Sequence, residues 1–425
     1  MNSNIEYVKK KVILFDSWTK GSRHIFRLLK EFDNHNIDIL LVHVGSWGDE
    51  PGRADHEVIN GLKVCDIRVY GNLENVINIE NPDLVLFLSL DPLIHRAFNL
   101  FCQKYNIPTV HLYHGVHSVF KSLSADKRHI NKYWTKLIKN FYERIWYVLF
   151  VYLKSLIKTA AGVRTWLDLF SSIYKKVFGI AIDKANQDAA TTYICVFNEF
   201  EQKQAIRKFS LSADQVKVVG SPDILKFPGL EKLIFSYINE QSCFSETVVY
   251  IGTGIRGTKM MLSDDKEYFK HLYKTYKALE SHNIKLKLRL HYSRVDKIRE
   301  YFSLTDSDID FCDENEFISE LKRGYGAIVE PSTAALVPVL MGKPIFLTRY
   351  GRLSGLEFGS IISSYPKAAS LDHLNDLSII TNPIIHSETE TMEWIKAVAG
   401  PLPASKMPFR VVSLINSAII EQKIN

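Results

Sequence analysis

The chain is expected to be α/β, with two doubly wound parallel-sheet domains, on three observations. Short uninterrupted apolar runs alternate with stretches of helical pattern. Such runs suit parallel strands covered on both faces. Many of them hand over to Gly, Ser, Asp or His. Finally, the alternation breaks at "PDILKFPGLEK" (222–232), with two prolines and a glycine, and then starts again. A length of 425 residues suits two domains, and 46% hydrophobic with 24% charged residues is a globular composition.

The elements follow in order. "KVILFDS" (11–17) reads as a first strand, "SRHIFRLLKEFDNH" (22–35) as a helix and "IDILLVHVG" (37–45) as a strand. "PDLVLFLSL" (82–90), the helical "IHRAFNLFCQKYN" (94–106) and "IPTVHLYHG" (107–115) continue the alternation. After an insertion at about 119–190 come "TTYICVFN", the helix "EFEQKQAIRKF" and "VKVVGSPD" (216–223). The second cycle opens with "ETVVYIGTG" (246–254) and a helix over 265–282. It continues through "IKLKLRLHYS", "IDFCD", "EFISELKRG", "GAIVEPST", "AALVPVLMG" and "KPIFLT" (343–348). The domains are therefore set at 1–228 and 229–400, with a helical tail over 401–425. Paired Rossmann-like domains of this kind are expected to face a cleft and to bind ligand there, at the carboxyl ends of their strands.

Charge and cysteine usage narrow the function. Between positions 121 and 180 stand twelve Lys/Arg against Asp126, Glu143 and Asp168, a local +9 where the whole chain carries +6. This basic stretch encloses "IWYVLFVYL" (145–153), with Tyr133, Trp134, Phe141, Tyr142 and Trp166 around it. Basic residues around an aromatic-rich apolar patch suit a helix lying on an anionic membrane surface; the alternative is a helical insertion packed on its own domain. No nucleic-acid-binding motif accompanies the charge. The five scattered cysteines include no C-x-x-C pair, against a disulfide framework or a zinc site. The N-terminal residues read as a strand rather than a secretory signal, and no apolar run approaches the roughly 20 residues of a spanning helix. The expected location is cytoplasmic, at a membrane surface.

The junction "EPSTAALVPVLMGKPIFL" (330–347) places Ser332 and Thr333 where a strand hands over to a helix over Ala334 to Met341. Free N–H groups and hydroxyls at such a turn suit a phosphate; the alternative is that Ser332 only caps the helix. "GTGIRG" (252–257) has G-x-G-x-x-G spacing, but neither the helix nor the acidic residue of a dinucleotide fingerprint follows at its proper distance. It reads as a loop, with Thr253, Gly254 and Arg256 as donor contacts. "DSDID" (306–310) reads as a solvated turn, and no metal site is expected. On the other side, "SWTKGSRH" and "YHGVHS" each follow a strand, offering Lys20, Arg23, His114 and His117. His114 is a catalytic candidate and the others are acceptor-side candidates.

Three patches resemble bacterial glycosyltransferases of the GT-B architecture, above all those using cytidine-nucleotide donors. These are sialyl- and polysialyltransferases, Kdo transferases of capsule and lipopolysaccharide synthesis, and glycerophosphotransferases using CDP-glycerol. "VFNEFEQKQAIRKFSLSADQVKVVGSPD" resembles the close of their N-terminal domain. "LKLRLHYSR" resembles a strand ending in His-Pro, with His291 matching and Tyr292 in place of the proline. "EPSTAALVPVLMGKPIFL" resembles their Ser-Ser/Ser-Thr phosphate turn. The resemblance is architectural over most of the chain and does not cover the insertion. It implies a metal-independent transferase without a cofactor. The donor would be a CMP-linked sugar, Kdo-like or sialic-acid-like, and the acceptor a growing cell-surface polysaccharide. His291, Glu330, Ser332 and Thr333 would hold the donor. Asp223 would be general base or nucleophile, the latter role resembling that of retaining Kdo transferases, although it is also placed to cap a helix from Ile224. Transfer of a polyol phosphate from CDP-glycerol or CDP-ribitol and epimerisation of a nucleotide sugar are the rival activities. A membrane scaffold without catalysis is the rival of another class.

Overall fold

A computed structural model describes residues 9–18, 25–47, 54–113, 146–177, 187–227, 229–238, 246–252, 265–290, 292–303, 309–330, 332–348, 361–371, 380 and 386–424. The chain divides into two compact units. Among the described residues, one comprises 9–113, 146–219 and 405–424, and the other 220–404. Contacts thus set the division at Val219/Gly220, nine residues before the boundary expected at 228, and most of the 401–425 tail belongs to the first unit.

The first unit is an eight-stranded sheet. Its members are β1 (Lys10–Asp16), β2 (Ile37–His43), β3 (His56–Ile59), β4 (Leu62–Asp66), β5 (Leu84–Phe87), β6 (Thr109–Leu112), β7 (Tyr193–Val196) and β8 (Val216–Val218). Their order is β3-β4-β2-β1-β5-β6-β7-β8, parallel throughout except for β3 against β4. The β3–β4 hairpin departs from the expected alternation. It turns on Asn60 and Gly61, both at positive φ (49° and 84°), the left-handed pair that a two-residue hairpin turn requires. Helices α1 (Leu29–Asn34), α2 (Leu73–Glu80), α3 (Leu93–Lys104), α4 (Trp146–Lys158), α5 (Val163–Val177) and α6 (Glu199–Phe209) connect these strands. Asn72 and Asn198 start α2 and α6 by accepting from the Asn75 and Glu201 amides, satisfying donors that a helix start leaves open.

In the insertion, α4 lays Tyr152 and Leu156 against α3 with no exposure. The contact is locked by a buried cluster. Arg96 of α3 reaches Asp188 with Nε at 2.8 Å and Nη2 at 2.7 Å, the Tyr152 hydroxyl donates to the same carboxylate oxygen, and Asn99 donates to the Asp188 carbonyl at 2.8 Å. Burial above all, then Asp188, pushes the Tyr152 phenol up, so it stays protonated and donates. The other face is not covered: Tyr147, Phe150 and Ile157 on α4, and Val163, Leu167 and Phe170 on α5, stand exposed beside exposed Lys154 and Arg164. No helix among the described residues is long and apolar enough to cross a membrane.

The second unit is a fully parallel six-stranded sheet of β9 (Thr247–Ile251), β10 (Lys285–Arg289), β11 (Asp310–Phe311), β12 (Gly326–Val329), β13 (Ile345–Leu347) and β14 (Ala368–Ser370), in the order β11-β10-β9-β12-β13-β14. Helices α7 (Asp265–Glu280), α8 (Tyr292–Ser303), α9 (Glu314–Arg323), α10 (Leu336–Met341) and α11 (Glu388–Ala399) accompany it. Its core holds Val248, Tyr250, Leu286, Leu288, Ile328 and Phe346 from the strands and Tyr268, Leu272 and Ile298 from α7 and α8. The final helix, α12 (Met407–Ile424), returns to the first unit and inserts Met407, Val411, Val412, Ile415 and Ile419 into that core. Two Rossmann-like parallel-sheet units with a helical insertion are therefore what the chain forms.

Candidate functional site

In the second sheet β10 lies on one side of β9 and β12 on the other. The connection from β9 runs to β10 and that from β12 runs the other way to β13, and a parallel sheet opens a ligand crevice at the carboxyl ends of two such neighbouring strands. Gly252 follows β9, and Glu330 follows β12, held alongside by its amide to the Ile251 carbonyl at 3.0 Å. A Cβ at Gly252 would lie 2.6 Å from Leu290 Cδ2 and 3.1 Å from the Tyr268 hydroxyl, so a side chain there requires the Leu290 side chain to shift. The glycine motif thus begins under a packing constraint.

Glu330 turns inward. It is 2% exposed and accepts from the Tyr250 hydroxyl at 2.8 Å, so its carboxylate is anchored to the core of the sheet. Burial first, then the Glu330 charge and the neighbouring Tyr268, push the Tyr250 phenol well above its ordinary value. It remains a donor at all physiological pH.

The junction after Glu330 differs from expectation in an informative way. Instead of a helix over Ala334 to Met341, a 3-10 turn (Thr333–Ala335) precedes α10, and the Ala335 amide is taken by the Ser332 carbonyl at 3.0 Å. Ser332 is not a side-chain cap. Its Oγ is buried and has no hydrogen-bond partner among the described residues. The backbone of Thr333 follows it in the turn. Lys343, in the Gly-Lys-Pro stretch, is structural. Its ammonium is buried, donates to the Lys322 and Gly324 carbonyls at 3.1 and 3.3 Å, and lies 4.2 Å from the Tyr237 ring centre.

Asp223 lies in the second unit. The 3-10 turn Pro222–Lys226 is capped by Ser221, whose hydroxyl accepts from the Asp223 amide at 3.3 Å; Asp223 is therefore not the cap. Its carboxylate pairs with Lys226 at 2.5 Å, at the edge of a hollow of about 10 Å³, no larger than a water molecule needs, walled by Ile224, Phe227, Leu230, Leu336, Val337 and Leu340. That hollow is apolar, a poor match for a sugar. Arg289, which the sequence reading passed over, ends β10 with its guanidinium 4.5 Å from the Phe317 ring centre and 5.4 Å from that of Phe227. Its position two residues before His291 in "LRLHYS" was the available signal. Lys20, Arg23, His114, His117, Thr253, Gly254, Arg256 and His291 lie outside the described residues. Of "DSDID", Asp310 is described and pairs with Lys285.

No family model matches the chain, and no curated protein does. Solved structures do. The wall teichoic acid polymerase TagF aligns with 97% of this chain and 90% of its own, at 14% identity and a TM-score of 0.48. UDP-GlcNAc 2-epimerase from Methanocaldococcus jannaschii, solved with UDP-GlcNAc and UDP, aligns with 96% of this chain and 99% of its own, at 10% identity and a TM-score of 0.45. The likeness is one of fold alone. It transfers no residue's role and no substrate to this chain.

Proposed function

We propose that the chain is a GT-B transferase that holds the phosphate of a nucleotide-linked donor at the β9/β12 crevice. One observation carries this reading: the Ser332 hydroxyl is buried at the carboxyl end of the sheet and unpartnered among the described residues. A hydroxyl left so forgoes about 1–3 kcal/mol, a loss that a ligand oxygen restores. The preferred donor is CMP-linked, with a Kdo-like or sialic-acid-like sugar passed to a cell-surface polysaccharide. Two features favour cytidine over uridine or adenine donors: "AALVPVLMG" offers no carboxylate to a ribose, and Glu330 is engaged with Tyr250. Transfer of a polyol phosphate from a CDP-polyol uses the same phosphate contact.

A thermal-shift screen with CMP, CDP, UDP and ADP tests the reading. Cytidine nucleotides at about 100 times Kd should add about 2.7 kcal/mol to stability. Ser332→Ala should leave the ligand-free Tm no lower than wild type and weaken nucleotide binding by at least about tenfold, the loss of one hydrogen bond to a charged group. No shift with any of the four would refute it.

We also propose that the exposed faces of α4 and α5 rest on an anionic membrane. Exposed Tyr147, Phe150, Ile157, Leu167 and Phe170 beside Lys154 and Arg164 support this, within the basic stretch at 121–180. Sedimentation with phosphatidylserine-containing vesicles should show binding that weakens with salt, each basic residue contributing about 1 kcal/mol. Absence of binding at low salt would return these faces to solvent.

A further inference from the structure

The turn that carries Ser332 is fastened to the core of the second sheet. β12 pairs with β9 in the register Ile328 to Tyr250 and Val329 to Ile251, and the Glu330 amide continues it by donating to the Ile251 carbonyl. Side chains two residues apart on a strand share a face, so Glu330 points the same way as Ile328 and meets Tyr250 diagonally across the sheet. The Tyr250 hydroxyl donates to Glu330 Oε1 at 2.8 Å, with both groups buried. Tyr268 of α7 neighbours the same hydroxyl, and its own oxygen is what a Cβ at Gly252 would meet at 3.1 Å. Three buried side chains, from α7, from β9 and from the residue after β12, therefore gather at the two strand ends that border the crevice.

Packing gives no reason for this pair. Tyr250 and Tyr268 belong to a core of Val248, Leu272, Leu288, Leu290 and Ile328, where a phenol and a carboxylate both lose hydration. Phenylalanine with leucine would occupy nearly the same volume. Replacing both partners of a buried hydrogen bond by apolar groups of like shape is nearly neutral or stabilising. What the polar pair adds is fixed geometry, since a charge-assisted hydrogen bond is short and directional and holds Glu330 to one place on β9. A single residue, a proline in the sequence, separates Glu330 from Ser332. Proline removes one backbone rotation and favours extended backbone in the residue before it, so little freedom lies between the anchored carboxylate and the serine. A hydroxyl that must meet a phosphate oxygen at hydrogen-bond distance needs support of this kind.

We propose that Tyr250 and Glu330 are positioning residues of the donor site. Their hydrogen bond sets the Ser332 hydroxyl, and Glu330 acts through that serine rather than by touching the donor. The role rests on the donor reading above and deepens it, and every residue in it belongs to the second unit.

The full chain and its variants are titrated calorimetrically with CMP, CDP, UDP and ADP, and melted without ligand. Tyr250→Phe combined with Glu330→Leu, the apolar exchange of the pair, should melt close to the wild-type temperature. It should nevertheless bind nucleotide at least about tenfold more weakly, as Ser332→Ala does. Adding Ser332→Ala to that exchange should weaken binding by less than about a further twofold, because both changes act through one hydroxyl. Glu330→Gln keeps an acceptor oxygen for Tyr250 and should bind within about threefold of wild type. A merely structural pair moves the melting temperature and leaves affinity alone, so affinity within about threefold of wild type in the apolar exchange overturns the role. So does a loss of about tenfold in Glu330→Gln, which gives the carboxylate a direct contact with the ligand. A combined loss of about a hundredfold in the triple variant does the same, by making the pair and the serine independent. If the apolar exchange fails to melt cooperatively, Tyr250→Phe alone takes its place under the same limits, and failure of both marks a structural pair. A wild type that binds none of the four nucleotides removes the donor site, and this role with it; a wild type and an apolar exchange that bind equally remove only the role.

Discussion

Replacing Arg96 by methionine should destabilise the first unit more than any ordinary surface change. The Asp188 carboxylate has no solvent exposure, and its Oδ2 receives Arg96 Nε at 2.8 Å, Arg96 Nη2 at 2.7 Å and the Tyr152 hydroxyl. Its Oδ1 has no partner among the described residues. Methionine keeps much of the aliphatic stem but leaves a buried carboxylate facing one neutral donor. Breaking a buried ion pair from one side costs about 3–5 kcal/mol. In a domain of this size that lowers Tm by roughly 6–20 °C, at about 2–4 °C per kcal/mol. Tyr152→Phe removes a single hydrogen bond to the same charge and should cost about 1.5–3 kcal/mol. Removing both charges, as Arg96→Met with Asp188→Leu, should recover much of the loss, because two well-packed apolar groups can replace a buried pair nearly neutrally. Calorimetry, with urea unfolding as a check, reads the wild type, these three variants and Asp188→Leu alone. A shift under about 2 °C for Arg96→Met, or strict additivity in the double variant, would refute the reasoning.

Two further outcomes follow from local geometry. Gly342 ends α10 at φ +88°, and a Cβ there would lie 2.8 Å from Ile238 Cγ1 and 2.9 Å from its amide nitrogen. Gly342→Ala should therefore cost at least the roughly 1–3 kcal/mol of a strained left-handed residue, read as a lower melting transition of the second unit alone. Lys158 first, then Tyr105 and Lys104, hold the Glu74 carboxyl down at about 2. A depressed carboxylate stabilises the fold above its unfolded value near 4.5, and the contribution fades as pH falls toward 2. Glu74→Gln should flatten the urea midpoint against pH in that window and leave its slope above pH 6 unchanged.

The central strands were legible because each is an uninterrupted apolar run, and β1, β2, β5, β9 and β12 fall where those runs stand. The β3–β4 hairpin was not foreseen, although Asn60-Gly61 announces it. Its edge strand carries an exposed Val58 and little else apolar, so it lacks the signature that revealed the others. At the candidate site the strand–turn–helix order around Ser332 was readable, because polar residues interrupt two apolar runs there. That Glu330 turns inward was not, since its partner Tyr250 comes from a neighbouring strand far away in sequence.

The return of α12 to the first unit bears on how the protein is made. Val411, Val412, Ile415 and Ile419 belong to a core whose other members are nearly all in place two hundred residues earlier. A growing chain can therefore complete the second unit, Gly220–Ala404, while the first still exposes the apolar groove that α12 fills. The unit synthesised first would be the last to close. An excised fragment ending at residue 219 carries that groove open to water, and chaperone binding or aggregation of such a fragment would be cured by supplying α12 as a separate peptide.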